Sequence, residues 1–206
     1  MGKRSYRQDC ALARATDLLG ERWTLLLLRD LLVAPRRFSE LERSLKGIGP
    51  NLLAGRLKEL EAAGVIEQRA DRASGSRVYA LTPRGAALEP AILALIRWGL
   101  VHLPARDDAA HHRHDWDLLA LKSAFQSDRF HGAPLAVQFR AGDFEGWTLL
   151  APGRISIGLG STADADLTID GTVRDLFVDR RPPAGLLADG SEAELARFME
   201  AFALRP

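Results

Sequence analysis

Basic and amide side chains recur at three separate places within the first 80 residues of the chain. Arg36 precedes one predicted helix, Asn51 lies at the start of the next, and Arg69 follows that helix. Guanidinium and ammonium groups pair with phosphates, whereas a carboxamide can both donate and accept hydrogen bonds at a base edge. This chemistry predicts contact with a nucleic acid. The predicted contact residues are Arg36, Arg37, Ser39, Pro50, Asn51, Leu52, Ala54, Gly55, Arg56, Lys58, Arg69, Arg72 and Arg77.

A predicted helix-turn-helix positions these side chains. Helices are expected over residues 10–19, 22–33, 40–46 and 50–63, with Ser39 as the N-cap of the third and Pro50 in the first turn of the fourth. Two strand-like segments, residues 65–69 and 77–81, then form a wing. A short helix, a turn, a second helix and a two-stranded wing are typical of a winged-helix DNA-binding domain.

The fourth predicted helix has two distinct faces. Leu53, Leu57 and Leu60 recur at helical spacing and are expected to pack on the core. The opposite face carries Asn51 together with small residues and Lys58, so the helix can approach base edges closely. Arg56 and Lys58 are expected to contact phosphates, as are the wing arginines, which could also reach the minor groove.

The remainder of the chain is predicted to complete this domain with a helix and then to form a second domain. Thr82 and Pro83 open a long apolar helix that Pro90 kinks or splits. A polar, histidine-rich linker spans residues 105–115. Residues 116–206 combine predicted helices with an antiparallel sheet. The predicted fold class is therefore α+β, with a winged helix-turn-helix domain at residues 1–104 and a small sheet-and-helix domain at 116–206.

Charge is distributed unevenly between the two halves. Residues 1–104 carry 17 Lys and Arg against 11 Asp and Glu, a net charge of +6, and residues 105–206 carry a net charge of −5. A basic half attached to an acidic half is consistent with a polyanion-binding domain joined to a module of another kind. The single cysteine excludes an internal disulfide, and no segment resembles a signal peptide or a membrane span, so we expect a cytoplasmic protein.

The sequence contains no set of residues that predicts catalysis. It lacks a nucleophile motif, a phosphate loop and a dinucleotide fingerprint, so neither an enzyme nor a cofactor is predicted. The cluster His111, His112, His114 and Asp115 offers ligands that suit zinc or nickel. It lies in the predicted linker without a cysteine or a distant ligand, and no metal site is predicted there.

Residues 7–100 resemble the HxlR family of winged-helix regulators. The motifs that carry the resemblance occur in order: CALA (10–13), LGERWTLLLLRDL (19–31), RFSEL (37–41), IGPNLL (48–53), RLKELEAAGVI (56–66), YALTPRG (79–85) and WG (98–99). The resemblance implies a homodimer held by the N-terminal helix and the long helix after the wing. It also implies binding to a double-stranded DNA operator with two-fold symmetry.

Cys10 lies at a position where some members of that family sense oxidants. A sensing cysteine needs exposure and a lowered pKa, which the start of a helix and the nearby Arg4, Arg7 and Arg14 would favour. The alternative is that Cys10 packs in the dimer interface as a small apolar residue.

The second half resembles the sterol carrier protein type 2 domain, which binds hydrophobic ligands in a cavity between a sheet and helices. The segments ADLTIDG (165–171), LF (176–177) and GSEAELARF (190–198) carry this resemblance. It implies a hydrophobic small-molecule effector, although the aromatic residues can equally fill a core. The candidate ligand-binding residues are Phe125, Phe139, Trp147, Leu149 and Phe177.

These observations together predict a dimeric transcriptional regulator, of the repressor type, that responds to a hydrophobic effector. One alternative is a carrier of hydrophobic ligands whose winged helix makes protein contacts. A second is a redox sensor acting through Cys10, and a third is an enzyme built on the C-terminal domain, which the missing acid, base and nucleophile disfavour.

Overall fold

A computed structural model describes residues 5–71, 74–103, 111–171 and 187–202 of the chain. The chain divides into two compact units, residues 1–92 and 93–206. The division falls inside the helix Glu89–His102, whereas the sequence predicts it at residues 105–115, of which 105–110 lie outside the described part.

The first unit begins with four helices in the predicted order. Helix α2 starts two residues later than predicted because Trp23, its N-cap, adopts a left-handed φ of 80°. Helix α3 starts earlier than predicted, and Ser39 is wrong as its cap. Arg37 is the N-cap instead, and its backbone N–H donates a 2.6 Å hydrogen bond to the Glu40 carboxylate. The helices are α1 (Ala11–Leu19), α2 (Thr24–Val33), α3 (Phe38–Ser44) and α4 (Pro50–Ala62).

Leucine side chains from three of these helices form the core of the first unit. Each faces inward at helical spacing, and the adjoining wing adds β-branched side chains. Removing this apolar surface from water is the main favourable contribution to folding of such a unit. The buried set includes Leu27, Leu28, Leu31, Leu41, Leu45, Leu53, Leu57, Leu60, Ile66 and Val78.

The wing is an antiparallel pair of strands, β1 (Ile66–Ala70) and β2 (Arg77–Leu81). Arg36 adds an isolated antiparallel bridge to Tyr79, with backbone N–O distances of 3.0 and 2.8 Å in the two directions. The segment just before α3 is therefore attached to the wing, and this attachment couples the start of α3 to the hairpin.

The predicted long helix after the wing is split at the position that Pro90 indicates. Thr82 caps the first part, α5 (Pro83–Ala86), by accepting a hydrogen bond from Gly85 N at 3.2 Å. The second part, α6 (Glu89–His102), contains Pro90 in its first turn, where a missing N–H costs no intrahelical bond.

The second unit contains a five-stranded sheet flanked in sequence by two helices. Its spatial order is β5-β4-β3-β6-β7, and all neighbours are antiparallel except β3 and β6, which are parallel. The prediction of a wholly antiparallel sheet was wrong, because the chain crosses over from β5 to the far side of β3. The predicted helix at 172–179 lies outside the described residues. The elements are α7 (His114–Ala124), β3 (Leu135–Ala141), β4 (Phe144–Ala151), β5 (Arg154–Leu159), β6 (Leu167–Asp170), β7 (Leu187–Asp189) and α8 (Glu192–Glu200).

One face of this sheet carries the core of the second unit. Phe139 pairs with Gly146 and Ile169 across the sheet, and it contacts Phe198 of α8 with ring centroids 6.0 Å apart. Ser191 and Glu194 cap α8 reciprocally, through bonds of 3.2 and 2.9 Å. The core residues include Leu118, Leu121, Phe130, Leu135, Val137, Phe139, Leu150, Leu167, Ile169 and Phe198.

Among the residues that the structure describes, no helix is both long enough and apolar enough to cross a membrane.

Candidate nucleic-acid interface

Helix α4 is fixed in the first unit by its leucine face. Gly49 is its N-cap and Pro50 occupies its first helical position, where the ring preorganises the backbone. Leu53, Leu57 and Leu60 are 0–1% exposed, which confirms the predicted inward face. Because side chains three or four positions apart share a helix face, this burial turns the opposite face outward.

The outward face of α4 combines polar and small side chains. Asn51, Ala54, Gly55 and Lys58 are all exposed, as the sequence predicts. A Cβ placed on Gly55 would meet no atom within 4 Å, so the helix surface is open at its centre. Leu52 is 43% exposed beside Asn51, an apolar side chain of the kind that can contact a thymine methyl group.

Arg56 does not face solvent freely, in contrast with its predicted role as a phosphate contact. Its guanidinium donates hydrogen bonds to Glu21 at 2.9 Å and to Glu59, and its side chain is 16% exposed. The two carboxylates offset its positive charge. Arg56 therefore ties α4 to the segment before α2, and its effect on DNA binding would act through the placement of the helix.

Glu21 is a residue of the site that the sequence did not single out. It lies 35 positions before Arg56 in the chain, so no local spacing could have paired them. Lys58 has no such acidic partner among the described ion pairs, and it remains the basic side chain that α4 presents outward.

The residues around the start of α3 divide into a buried and an exposed group. Arg36 is buried at 9% exposure, so the predicted phosphate contact does not fit this placement, and its backbone serves the wing instead. Arg37 is exposed and donates a 2.9 Å hydrogen bond to Ser74 at the tip of the wing. Ser39 is exposed in the first turn of α3, where its hydroxyl is accessible from outside.

The wing presents basic side chains on both of its faces. Arg69 pairs with Val78 and Arg77 pairs with Ala70, so the two arginines belong to successive registers and project from opposite faces. Both are exposed. Arg72, the third predicted wing contact, lies outside the described residues. Burial, with a smaller contribution from Glu61, raises the pKa of Tyr79, which keeps this wing residue a neutral phenol near pH 7.

Cys10 is exposed at the N-terminus of α1. Its pKa is lowered from the ordinary thiol value, because the backbone N–H groups of Ala13 and Leu12 stabilise the thiolate. The sequence had assigned this role in part to neighbouring arginines, whereas the structure assigns it to the first turn of the helix.

The candidate ligand-binding residues of the second unit are not brought together. Phe139 lies on the core face and Phe125 packs against that core, whereas Trp147 and Leu149 lie on the other face of the sheet. Phe139 pairs with Gly146, whereas Trp147 pairs with Gln138. Because adjacent positions of a strand point to opposite faces, Phe139 and Trp147 lie on different faces of the sheet. The prediction of one pocket lined by all of them was therefore wrong, and Phe177 lies outside the described residues.

A helix-turn-helix joined to a two-stranded wing, with a small and polar recognition face, defines the first unit as a winged-helix DNA-binding domain. The HxlR-like helix-turn-helix family matches residues 18–107. The chain is 37% identical over 86 residues to the HTH-type transcriptional regulator YvaP of Bacillus subtilis, covering 41% of this chain and 80% of that one. The chain belongs to the HxlR-like family, as the sequence predicts.

Two further proteins are similar to the chain. The HTH-type transcriptional regulator YodB of Bacillus subtilis is 35% identical over 85 residues, covering 41% of this chain and 76% of that one. A structure of the redox regulator HypR in its oxidised form has 30% identity, covers 48% of this chain and 99% of that chain, and has a TM-score of 0.42.

Two substitutions of Gly55 distinguish its effect on helix stability from its effect on how closely α4 can approach DNA. We expect Gly55→Ala to stabilise the protein by about 1 kcal/mol, because alanine is the better helix former and its Cβ meets open space. Gly55→Phe should fold equally well but bind DNA at least roughly tenfold more weakly, because a large side chain holds the helix away from the base edges. Urea unfolding and a gel-shift titration measure the two effects. Equal DNA affinities for Gly55→Phe and the native chain would contradict the assigned face.

Proposed function

We propose that the protein is a homodimeric transcriptional repressor that binds a two-fold operator through α4. The outward face of α4, which joins Asn51 to a small central surface beside Lys58, is the observation that carries this proposal. Asn51 has the chemistry for a base edge, and Lys58, Arg69 and Arg77 have the chemistry for phosphates. Occupation of an operator that overlaps a promoter would block transcription.

Exposed apolar side chains support the homodimer. Trp98 is 54% exposed on α6, and Leu95 and Leu103 are exposed to a similar degree. On α1, Leu12 is 71% exposed. Large apolar side chains exposed at a surface mark interaction sites, and in the proposed dimer a second copy of the chain covers the exposed side chains of each helix. A dimer places two α4 helices for two half-sites about one helical turn apart.

We further propose that the second unit is a sterol carrier-like module that couples a hydrophobic effector to DNA binding. The five-stranded sheet, with an apolar face that packs against aromatic side chains of α8, supports this assignment. The effector would contact the core face, where Phe125 and Phe139 lie, and Trp147 and Leu149 are no longer part of the proposed site. An effector that changes operator affinity must have its own affinity changed by DNA by the same factor.

The operator proposal is tested by titrating the full-length chain against its own upstream DNA at several salt concentrations. Asn51→Ala should lower affinity for the specific site by about 1–3 kcal/mol, because one base-edge contact is lost. Lys58→Ala should weaken binding to all sequences and reduce the salt slope by roughly one unit, because one phosphate contact is lost.

Arg154→Ala is the matched control for these variants, because Arg154 is exposed on β5 in the second unit. It should leave both affinity and salt slope unchanged. Arg56→Ala should lower affinity without a lower salt slope, since the two carboxylates already offset its charge. If Asn51→Ala and Lys58→Ala both bind as the native chain does, α4 is not the recognition helix, and a carrier whose winged helix contacts proteins becomes the better proposal.

The dimer proposal is tested by Trp98→Asp on α6. A carboxylate in an apolar interface without a partner is strongly unfavourable, so the variant should be monomeric in analytical ultracentrifugation at concentrations where the native chain is dimeric. Its circular dichroism spectrum should be unchanged because Trp98 is half exposed in a single chain. Arg97→Asp, at an exposed neighbouring position of the same helix, is the control. A dimeric Trp98→Asp protein would remove α6 from the interface.

Oxidant sensing through Cys10 is a second candidate function. The exposed thiol and its lowered pKa favour it, because the thiolate is the form that reacts with oxidants. Hydrogen peroxide would transfer one oxygen atom to the thiolate, giving a sulfenic acid and releasing the other oxygen as hydroxide. The added polar group would change the start of α1, which the proposed dimer uses.

The reactivity of Cys10 is measured from the rate of alkylation by iodoacetamide as a function of pH. The chain has no other cysteine, so the reagent reports on this thiol alone. The midpoint pH of the alkylation rate should be lower than that of the same thiol in the urea-unfolded chain, because the first turn of α1 lowers the pKa of Cys10 in the folded protein. Identical midpoints in the two states would contradict this candidate.

A further inference from the structure

Three potential metal ligands meet at the start of α7 in the second unit. His112 Nε2 lies 3.0 Å from Asp117 Oδ2, and His114 Nδ1 lies 3.8 Å from the same oxygen. The three ligand atoms all lie within 4.8 Å of one another. Asp117 was not among the sequence candidates. It joins the cluster because positions 114 and 117 of a helix share one face.

These distances suit a small tetrahedral ion. Zinc bound at about 2.0–2.1 Å by nitrogen and oxygen sets its ligand atoms about 3.3–3.4 Å apart. The separations of 3.0 and 3.8 Å lie on either side of that value and the third is at most 4.8 Å, so side-chain rotations would be needed to bring all three atoms to tetrahedral spacing. An ordinary ion pair of His112 with Asp117 explains the shorter distance, but it leaves the role of His114 open.

The environment of His114 indicates a missing partner. Its Nδ1 atom is shielded from solvent and has no hydrogen-bond partner within the described ranges of the chain. A buried nitrogen without a partner is unfavourable, and a metal ion would satisfy it. The Phe144 ring packs on the His114 imidazole with centroids 5.5 Å apart, which holds that ligand in place on an apolar wall.

The ion pairs of the neighbouring residues indicate which aspartate is available to bind a metal ion. Asp115, the acid that the sequence places in the histidine-rich cluster, accepts hydrogen bonds of 2.9 and 2.8 Å from the Arg113 guanidinium. Asp117 is 11% exposed in the first turn of α7, where its Oδ2 atom faces both imidazoles. Two imidazole nitrogens and one carboxylate suit zinc, nickel or copper rather than magnesium or calcium.

We propose that His112, His114 and Asp117 form a binding site for a divalent first-row transition metal ion such as Zn²⁺. The ion takes one ligand atom from each side chain and water in its fourth position. It would link the segment before α7 to the first turn of that helix. This site lies outside the DNA-binding unit and is independent of the proposed operator function.

Zinc binding by the tag-free, metal-free, full-length chain tests the proposal. The chain is titrated with Zn²⁺ against a chromophoric chelator, and with Co²⁺, whose visible spectrum reports tetrahedral coordination. We expect one equivalent per chain. His112→Ala and His114→Ala should each weaken the apparent affinity at least roughly tenfold, because loss of even an outer partner of a metal ligand has an effect of that size.

Two matched variants control the measurement. His131→Ala removes an exposed imidazole elsewhere in the second unit, and Cys10→Ser removes the single thiol. Both should bind zinc as the native chain does. His112 is exposed, so its substitution should leave the fold intact even if Asp117→Asn does not. Unchanged affinity of His112→Ala and His114→Ala, or no binding of the native chain tighter than on the order of 0.1 mM, would overturn the proposal.

Discussion

The burial of one leucine face of α4 is the constraint on which the DNA-binding unit depends. Once Leu53, Leu57 and Leu60 are removed from water, the direction of Asn51, Gly55 and Lys58 follows from helix geometry. The core and the proposed recognition surface are thus two sides of the same helix. A substitution that loosens the leucine packing would also change how the helix presents the proposed recognition surface, although it touches no DNA.

Electrostatics divides the basic residues of this unit into two kinds. Some arginines form ion pairs within the protein: Arg56 pairs with Glu21 and Glu59, and Arg29 pairs with Asp30. Others, such as Arg69 and Arg77, keep their charge at the surface. A net positive charge therefore overstates the number of cations available for phosphates. The unit gains rigidity from the first kind and attraction for a polyanion from the second.

The second unit follows from strand alternation and a single crossover. Alternation assigns Phe139 to the core and Trp147 to the other face, although the two residues lie on neighbouring strands. The crossover places β6 parallel to β3 and brings Ile169 beside Phe139. In the same unit, the first turn of α7 brings His114 and Asp117 close to His112, which precedes the helix. The proposed metal site and the apolar core thus use different parts of one small domain.

The sequence by itself determined the local features of this protein. Helical spacing of leucines, Thr82 and Pro83 as a cap, and the two strand-like segments of the wing depend on neighbours in the chain, and each was predicted. Only the tertiary structure decided the rest: the partners of Arg56, the burial of Arg36, the parallel strand β6 and the position of Asp117 beside His112 and His114. Most of these depend on residues distant in the chain, and the last depends on where α7 begins. Local propensity carries no information about contacts between distant residues, and it locates helix boundaries only to within a few residues.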